Sequence, residues 1–140
     1  MELIITAHKE AAVKRIREHK VVLAVQDTTV LNHSAYLPDD ADPVNMTKDT
    51  ARGFLLHDTV AFAEDGLPLG VLDAQFWARN PAAARQSAAR RERDIEEKES
   101  SKWLKSYRAA AEVQALCPDT MIVSVGDRES DIYELFHEAR

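Results

Sequence analysis

The stretch that most constrains how this chain can fold is residues 120–132, Thr-Met-Ile-Val-Ser-Val-Gly-Asp-Arg-Glu-Ser-Asp-Ile. Met121, Ile122, Val123 and Val125 make a short, nearly unbroken apolar run rich in β-branched side chains, the pattern of a strand buried on both faces of a sheet. Gly126 breaks the run and Asp127 follows at once. A carboxylate there stands at the edge of the sheet, where α/β folds bind their ligands. Ser130 is a helix-capping residue type, and Ile132, Leu135, Phe136 and Ala139 then recur at i, i+3, i+4 and i+7. The expectation is strand, acidic turn, helix.

The same grammar occurs earlier. Residues 21–25, Val-Val-Leu-Ala-Val, are a second apolar run, closed by Gln26 and Asp27 and followed by Thr28 and Thr29. Asp27 and Asp127 are 100 positions apart. If the two strands are neighbours, the two acids face each other across a short gap.

The remaining segments supply what joins those strands. A helix is expected from Thr6 or Ala7, with Ala11, Ala12 and Ile16 inward and Lys9, Lys14, Arg15, Arg17 and Lys20 on a basic outer face, which is either simply solvated or a DNA contact. Residues 31–52 form a long excursion, with Asn32, His33 and Ser34 as turn formers and an acidic, proline-bounded loop at 38–43. Asp39, Asp40 and Asp42 lack the glycine and distal glutamate of a calcium loop and are taken as surface acids. Residues 54–63 and 67–76 predict two strands joined at Glu64-Asp65-Gly66, Asp-Gly being a favoured hairpin pair. His57 falls inside the first of these, as a satisfied core or edge histidine rather than a ligand. Residues 82–93 are rich in alanine and arginine. Arg85, Arg90 and Arg91 there are either solvated or phosphate-contacting. A helix is expected from Glu96 to Leu116, with Trp103, Leu104, Tyr107, Ala111 and Ala115 at helical spacing and Pro118 as its stop.

At 140 residues the chain is one domain by length, and its 45% hydrophobic content is that of a globular protein. No apolar run approaches the roughly 20 residues that span a bilayer, and the first residues do not have the pattern of a signal peptide. The single Cys117 excludes an internal disulfide, fits a reducing compartment and is expected to be a small buried residue. A net charge of −6 neither requires nor excludes nucleic-acid binding, because local patches matter more than the sum.

The resulting order is three strands, helix, strand, helix: an α/β domain with three antiparallel strands, a helical crossover and a further strand parallel to the first. That is the ribonuclease-H-like arrangement, in which strands one and four lie side by side. Two carboxylates converging at their tips would repel unless paired with a cation, and hard oxygen ligands suit magnesium or manganese. Such ions serve in-line displacement at a phosphodiester, for cleavage and strand transfer alike.

Four blocks then carry a resemblance: Val-Gln-Asp27-Thr28-Thr29; Arg52-Gly53-Phe54-Leu55-Leu56-His57; Glu97-Lys98-Glu99-Ser100-Ser101-Lys102-Trp103; and Gly126-Asp127-Arg128-Glu129-Ser130-Asp131-Ile132. In this order and spacing they resemble the catalytic domain of bacterial cut-and-paste DDE transposases, of the insertion-sequence family numbered four, over residues 9–140. The resemblance implies that Asp27 and Asp127 are the first two acids of the catalytic triad and bind Mg2+ or Mn2+. It implies double-stranded DNA at transposon ends as partner, a homodimer in the full-length parent, no membrane, and a bacterial, nucleoid-associated cytoplasmic location. The family's third acid, a glutamate on a later helix with a Tyr-Arg-Glu-Lys-like signature, and the inserted β-rich region before it have no counterpart here. Residues 1–140 are therefore expected to be a partial catalytic domain, inactive or nearly so in cleavage by itself. Glu129 or Asp131 either replaces the missing acid or serves the turn and the helix end. Arg128 either binds a phosphate or pairs with the acids. The competing expectations are an inactive DNA- or partner-binding remnant and a phospho-aspartate domain of receiver or phosphatase type.

Overall fold

The structure, a computed structural model, describes residues 2–36, 52–78 and 98–140. Helix α1 (Glu2–Ile16) leads into β1 (Val21–Asn32), β2 (Gly53–Ala63) and β3 (Pro68–Trp77). Helix α2 (Ser101–Leu116), β4 (Met121–Val125), a 3-10 turn (Arg128–Ser130) and helix α3 (Tyr133–Glu138) follow. The sheet order is β3-β2-β1-β4. β1 pairs antiparallel with β2 and β2 with β3, whereas β4 runs parallel to β1. The α/β class, the antiparallel triplet and the parallel fourth strand thus agree with the expectation.

β1 and β2 form the long ladder, from Val22 opposite Ala63 to Asn32 opposite Gly53. Side chains alternate along it: Val22, Ala24 and Gln26 of β1 and every odd residue of β2 from Gly53 to Ala63 are buried. That face carries the helices. Ala12, Val13 and Ile16 of α1 and Ala110 and Val113 of α2 join Val22, Ala24, Ala61, Ala63, Leu69 and Leu72 in one core cluster. Five of these are alanines, and so many small side chains let helix backbones approach the sheet closely. Gly70 shows how close: with φ +142°, it lies where an added Cβ would come within 2.9 Å of the Ala12 Cβ. Only glycine satisfies both demands.

The hairpin between β2 and β3 closes at the expected Asp65-Gly66. Gly66 N–H donates to Ala63 O at 2.9 Å, and Leu67 N–H donates to the Asp65 carboxylate at 3.0 Å. At the other end of the domain Gln114 terminates α2 and starts β4. Its amide donates to the Thr120 carbonyl at 2.8 Å and accepts from Ile122 N–H at 2.9 Å. The buried Thr120 hydroxyl donates to His19 O at 2.8 Å, tying this junction to the end of α1.

Several boundaries differ from the sequence expectation. α1 starts near Glu2, not at Thr6 or Ala7. β1 does not stop at Gln26 but continues to Asn32, because β2 is long enough to pair with its polar half. β4 is not buried on both faces. It is an edge strand, and Met121, Val123 and Val125 are exposed. β1, with partners on both sides, is the inner strand of that pair. α2 begins at Ser101 rather than Glu96; residues 96 and 97 lie outside the described residues. Trp103 and Leu104 are buried as expected, and the stripe continues through Ser106, Ala110, Val113 and then Cys117, not Tyr107, Ala111 and Ala115. Small Ser106 and Ala110 fit against the sheet where the larger Tyr107 stays at the border. Cys117 is buried, as expected. The loop at 38–43 lies outside the described residues. No helix among the described residues is long and apolar enough to cross a membrane.

Candidate functional site

The parallel β1–β4 ladder keeps a constant offset of 100 residues, from Val21 opposite Met121 to Val25 opposite Val125. Asp27 and Asp127 each come two residues beyond that last pair, so the two acids occupy matched positions past the β1–β4 ladder, Asp27 within β1 and Asp127 just after β4. Their backbones differ from there. β1 continues, with Asp27 paired across to Asp58 of β2. The chain after β4 turns away at Gly126.

Gly126 is where that turn is made compact. A Cβ there would meet Ser130 Oγ at 2.8 Å and Trp103 Cζ3 at 3.1 Å. Asp127 has extended backbone (φ −78°, ψ −175°) and caps the 3-10 turn, its carboxylate accepting from Glu129 N–H at 2.7 Å. The helix cap expected of Ser130 is not made: α3 is preceded by Ile132, with no side-chain cap. Ser130 instead lies within the turn and donates its hydroxyl to Asp127 O at 2.7 Å. Asp131 is not in the first turn of a helix either: it follows the 3-10 turn, and α3 is preceded by Ile132. Glu129 reaches back to Lys102 at the start of α2, at 3.3 Å. Arg128 is exposed beside Asp127. Arg85, Arg90 and Arg91 lie outside the described residues.

By strand alternation Asp27 and Asp58 project from the sheet face opposite α1 and α2, because Gln26, Thr28 and His57 point to the helix side. Asp27 is exposed and Asp58 half-buried. The Asp58 carboxyl is pushed above its ordinary value, first by burial and then by the negative charge of Asp27. Asp58 was not singled out from the sequence. Its signal was faint: a lone acid in an apolar strand, whose importance depends on which residue pairs with it.

Beneath the acids, on the helix side, lies a polar layer. The amide of buried Gln26 donates to Ser124 Oγ of β4 at 2.7 Å, and Thr28 Oγ1 shares a hydrogen bond of 2.9 Å with His57 Nδ1. His57 is wholly buried, and its ring meets Trp103 edge-on at 4.5 Å. Its pKa is lowered to about 4, chiefly by burial and then by the Lys102 ammonium, against the pull of Asp73 and Asp27. Lys102 is itself buried, 5.3 Å from the Trp103 ring and 5.8 Å from the Trp77 ring. His57 is thus the core histidine expected, and neutral.

Among the described residues two buried side-chain atoms have no hydrogen-bond partner, His57 Nε2 and Thr59 Oγ1. A buried hydroxyl without a partner is a net cost. Thr59→Val, which keeps the shape and removes the hydroxyl, is expected to stabilise the domain by about 1 kcal/mol, read as a higher midpoint in urea unfolding.

Asp27 and Asp127 offer carboxylate oxygens, the chemistry that magnesium and manganese prefer. The Asp27 carboxylate makes no hydrogen bond or ion pair among the described residues, and one Asp127 oxygen serves the cap. Among the described residues no group of three or more histidine, cysteine, aspartate or glutamate side chains could enclose an ion. Magnesium does not need such a cage: one or two carboxylates, with waters and phosphate oxygens, is its usual protein environment. The residues present fit that partial set. No protein-family model matches the chain.

Proposed function

We propose that this chain is a ribonuclease-H-like domain from a DDE transposase of the insertion-sequence type, acting in metal-dependent cleavage and strand transfer of DNA phosphodiesters. One observation carries the reading: β1 and β4 are parallel neighbours with a 100-residue offset, so Asp27, inside β1, and Asp127, just past the end of β4, occupy matched positions beyond the last paired residues. In this reading Asp27 and Asp127 hold a magnesium or manganese ion. When bound, the ion supplies Lewis-acid activation of a water or 3′-hydroxyl and stabilises the leaving oxygen. The chain's own part is to present the two carboxylates, keep Asp127 oriented through its bond to Glu129 N–H, and offer Arg128 to a backbone phosphate. The partner is double-stranded DNA at transposon ends, and the full-length parent acts as a homodimer. The antiparallel β1-β2-β3 triplet speaks against a receiver or haloacid-type phosphatase, which would alternate strand and helix strictly.

Manganese binding measured by titration calorimetry tests this. Asp27→Asn or Asp127→Asn is expected to weaken binding by at least the roughly 10–100-fold that follows loss of outer-sphere partners, while the thermal midpoint without metal changes little. Equal affinity in wild type and both variants would end the assignment. Autophosphorylation at Asp27 would move the reading to the phospho-aspartate class.

A further inference from the structure

The two acids come from different strands, so the gap between them is only as constant as the contact between those strands. The backbone ladder between β1 and β4 ends at Val25 and Val125, before either acid is reached. β4 ends at that last pair and the chain departs through Gly126, whereas β1 continues, so the ladder alone does not fix the two acids. One side-chain bond stands at this point. Gln26, adjacent to Asp27 and only 4% exposed, donates its amide to Ser124 Oγ at 2.7 Å, three residues before Asp127. It runs on the face opposite Asp27, from Gln26, one residue past the last β1–β4 pair, back to Ser124, which pairs with Ala24 inside the ladder. A buried amide needs a partner, and this one is on the neighbouring strand rather than on its own.

We propose that the Gln26–Ser124 bond is the spacer that sets the separation of Asp27 and Asp127, making both positioning residues for the cation site. The proposal rests on the metal reading above. Gln26 and Ser124 touch neither metal nor DNA; they act through the strands that carry the acids. Because the two side chains act through one shared bond, losing either end has the same consequence as losing both.

The test is a double-mutant cycle on manganese affinity in the 140-residue chain, with Gln26→Leu, Ser124→Ala and the double variant, and with Ser124→Thr as the conservative rescue. Each single variant is expected to bind manganese about 10-fold more weakly, the double no more weakly than either single, and Ser124→Thr close to wild type. The metal-free melting midpoint of Ser124→Ala should stay within about 4 °C of wild type. Additive losses would overturn the proposal, as would wild-type affinity in Ser124→Ala while Asp27→Asn abolishes binding, or an affinity loss that merely follows a fall in the melting midpoint. A wild-type chain that takes up no manganese would instead remove the metal reading, and the spacer role with it.

Discussion

Trp103→Ala is expected to destabilise the domain by about 3–5 kcal/mol, which for a chain of this size lowers the melting midpoint by roughly 10 °C. Trp103 is 1% exposed and near the start of α2, where it touches three things at once. Its ring covers His57 at 4.5 Å, lies 5.3 Å from the Lys102 ammonium, and supports the turn at Gly126, where an added Cβ would be 3.1 Å from it. Truncation removes the largest fully buried side chain among the described residues and leaves a cavity beside His57 and Gly126. The loss should exceed that of Trp103→Phe, which keeps a ring against His57. Differential scanning calorimetry checks the size. A second readout checks the mechanism: with its cover gone, the His57 imidazole should titrate nearer 6.5 than 4, visible in its ring proton shifts. A Trp103→Ala variant that melted with the wild type would show that α2 does not depend on this contact.

Acidification gives the second large effect. Burial holds the folded-state pKa of His57 at about 4, below its ordinary 6.5, so the unfolded chain takes up the proton first. The sign follows from linkage: stability is full above about pH 6.5 and declines as the pH falls towards 4, below which this contribution is flat. The expected loss from His57 is about 3 kcal/mol. Asp58 works in the opposite direction. Its carboxyl is raised, so the folded state binds that proton more readily, and stability is regained as the pH falls through its raised value. Urea unfolding between pH 7 and 4 should therefore show a steep decline that Asp58 partly offsets as its carboxyl takes up a proton. His57→Phe, which keeps an aromatic ring against Trp103, should flatten the decline. An unchanged slope in that variant would assign the acid sensitivity to other groups.

These two predictions meet at the layer beneath the candidate site. His57, Trp103, Lys102 and Glu129 link β2, α2 and the turn after β4. The turn that carries Asp127 thus rests on a side chain of α2, and the position of Asp27 is held from below by Thr28 on His57 and by Gln26 on Ser124. Stability in this region and the geometry of the acids are therefore coupled, and the Gln26–Ser124 cycle is designed to separate them.

The local part of this architecture was legible in the residues. The β-branched run at 121–125, the Asp65-Gly66 pair and the helical spacing before Pro118 report elements whose physics is confined to a few neighbours, and those elements formed. Their order was enough for an antiparallel triplet and a parallel fourth strand, because a helix between strands is what a parallel neighbour requires. What the sequence could not carry was the detail set by particular residues brought together from far along the chain. The edge status of β4, the continuation of β1 to Asn32, the opposition of Asp27 and Asp58, the Gln26–Ser124 bond and the neutral state of His57 are all set by which residues the sheet brings together. Burial and charge are properties of that assembled neighbourhood, so the same aspartate in the middle of a strand reads as incidental until register places a second one opposite it.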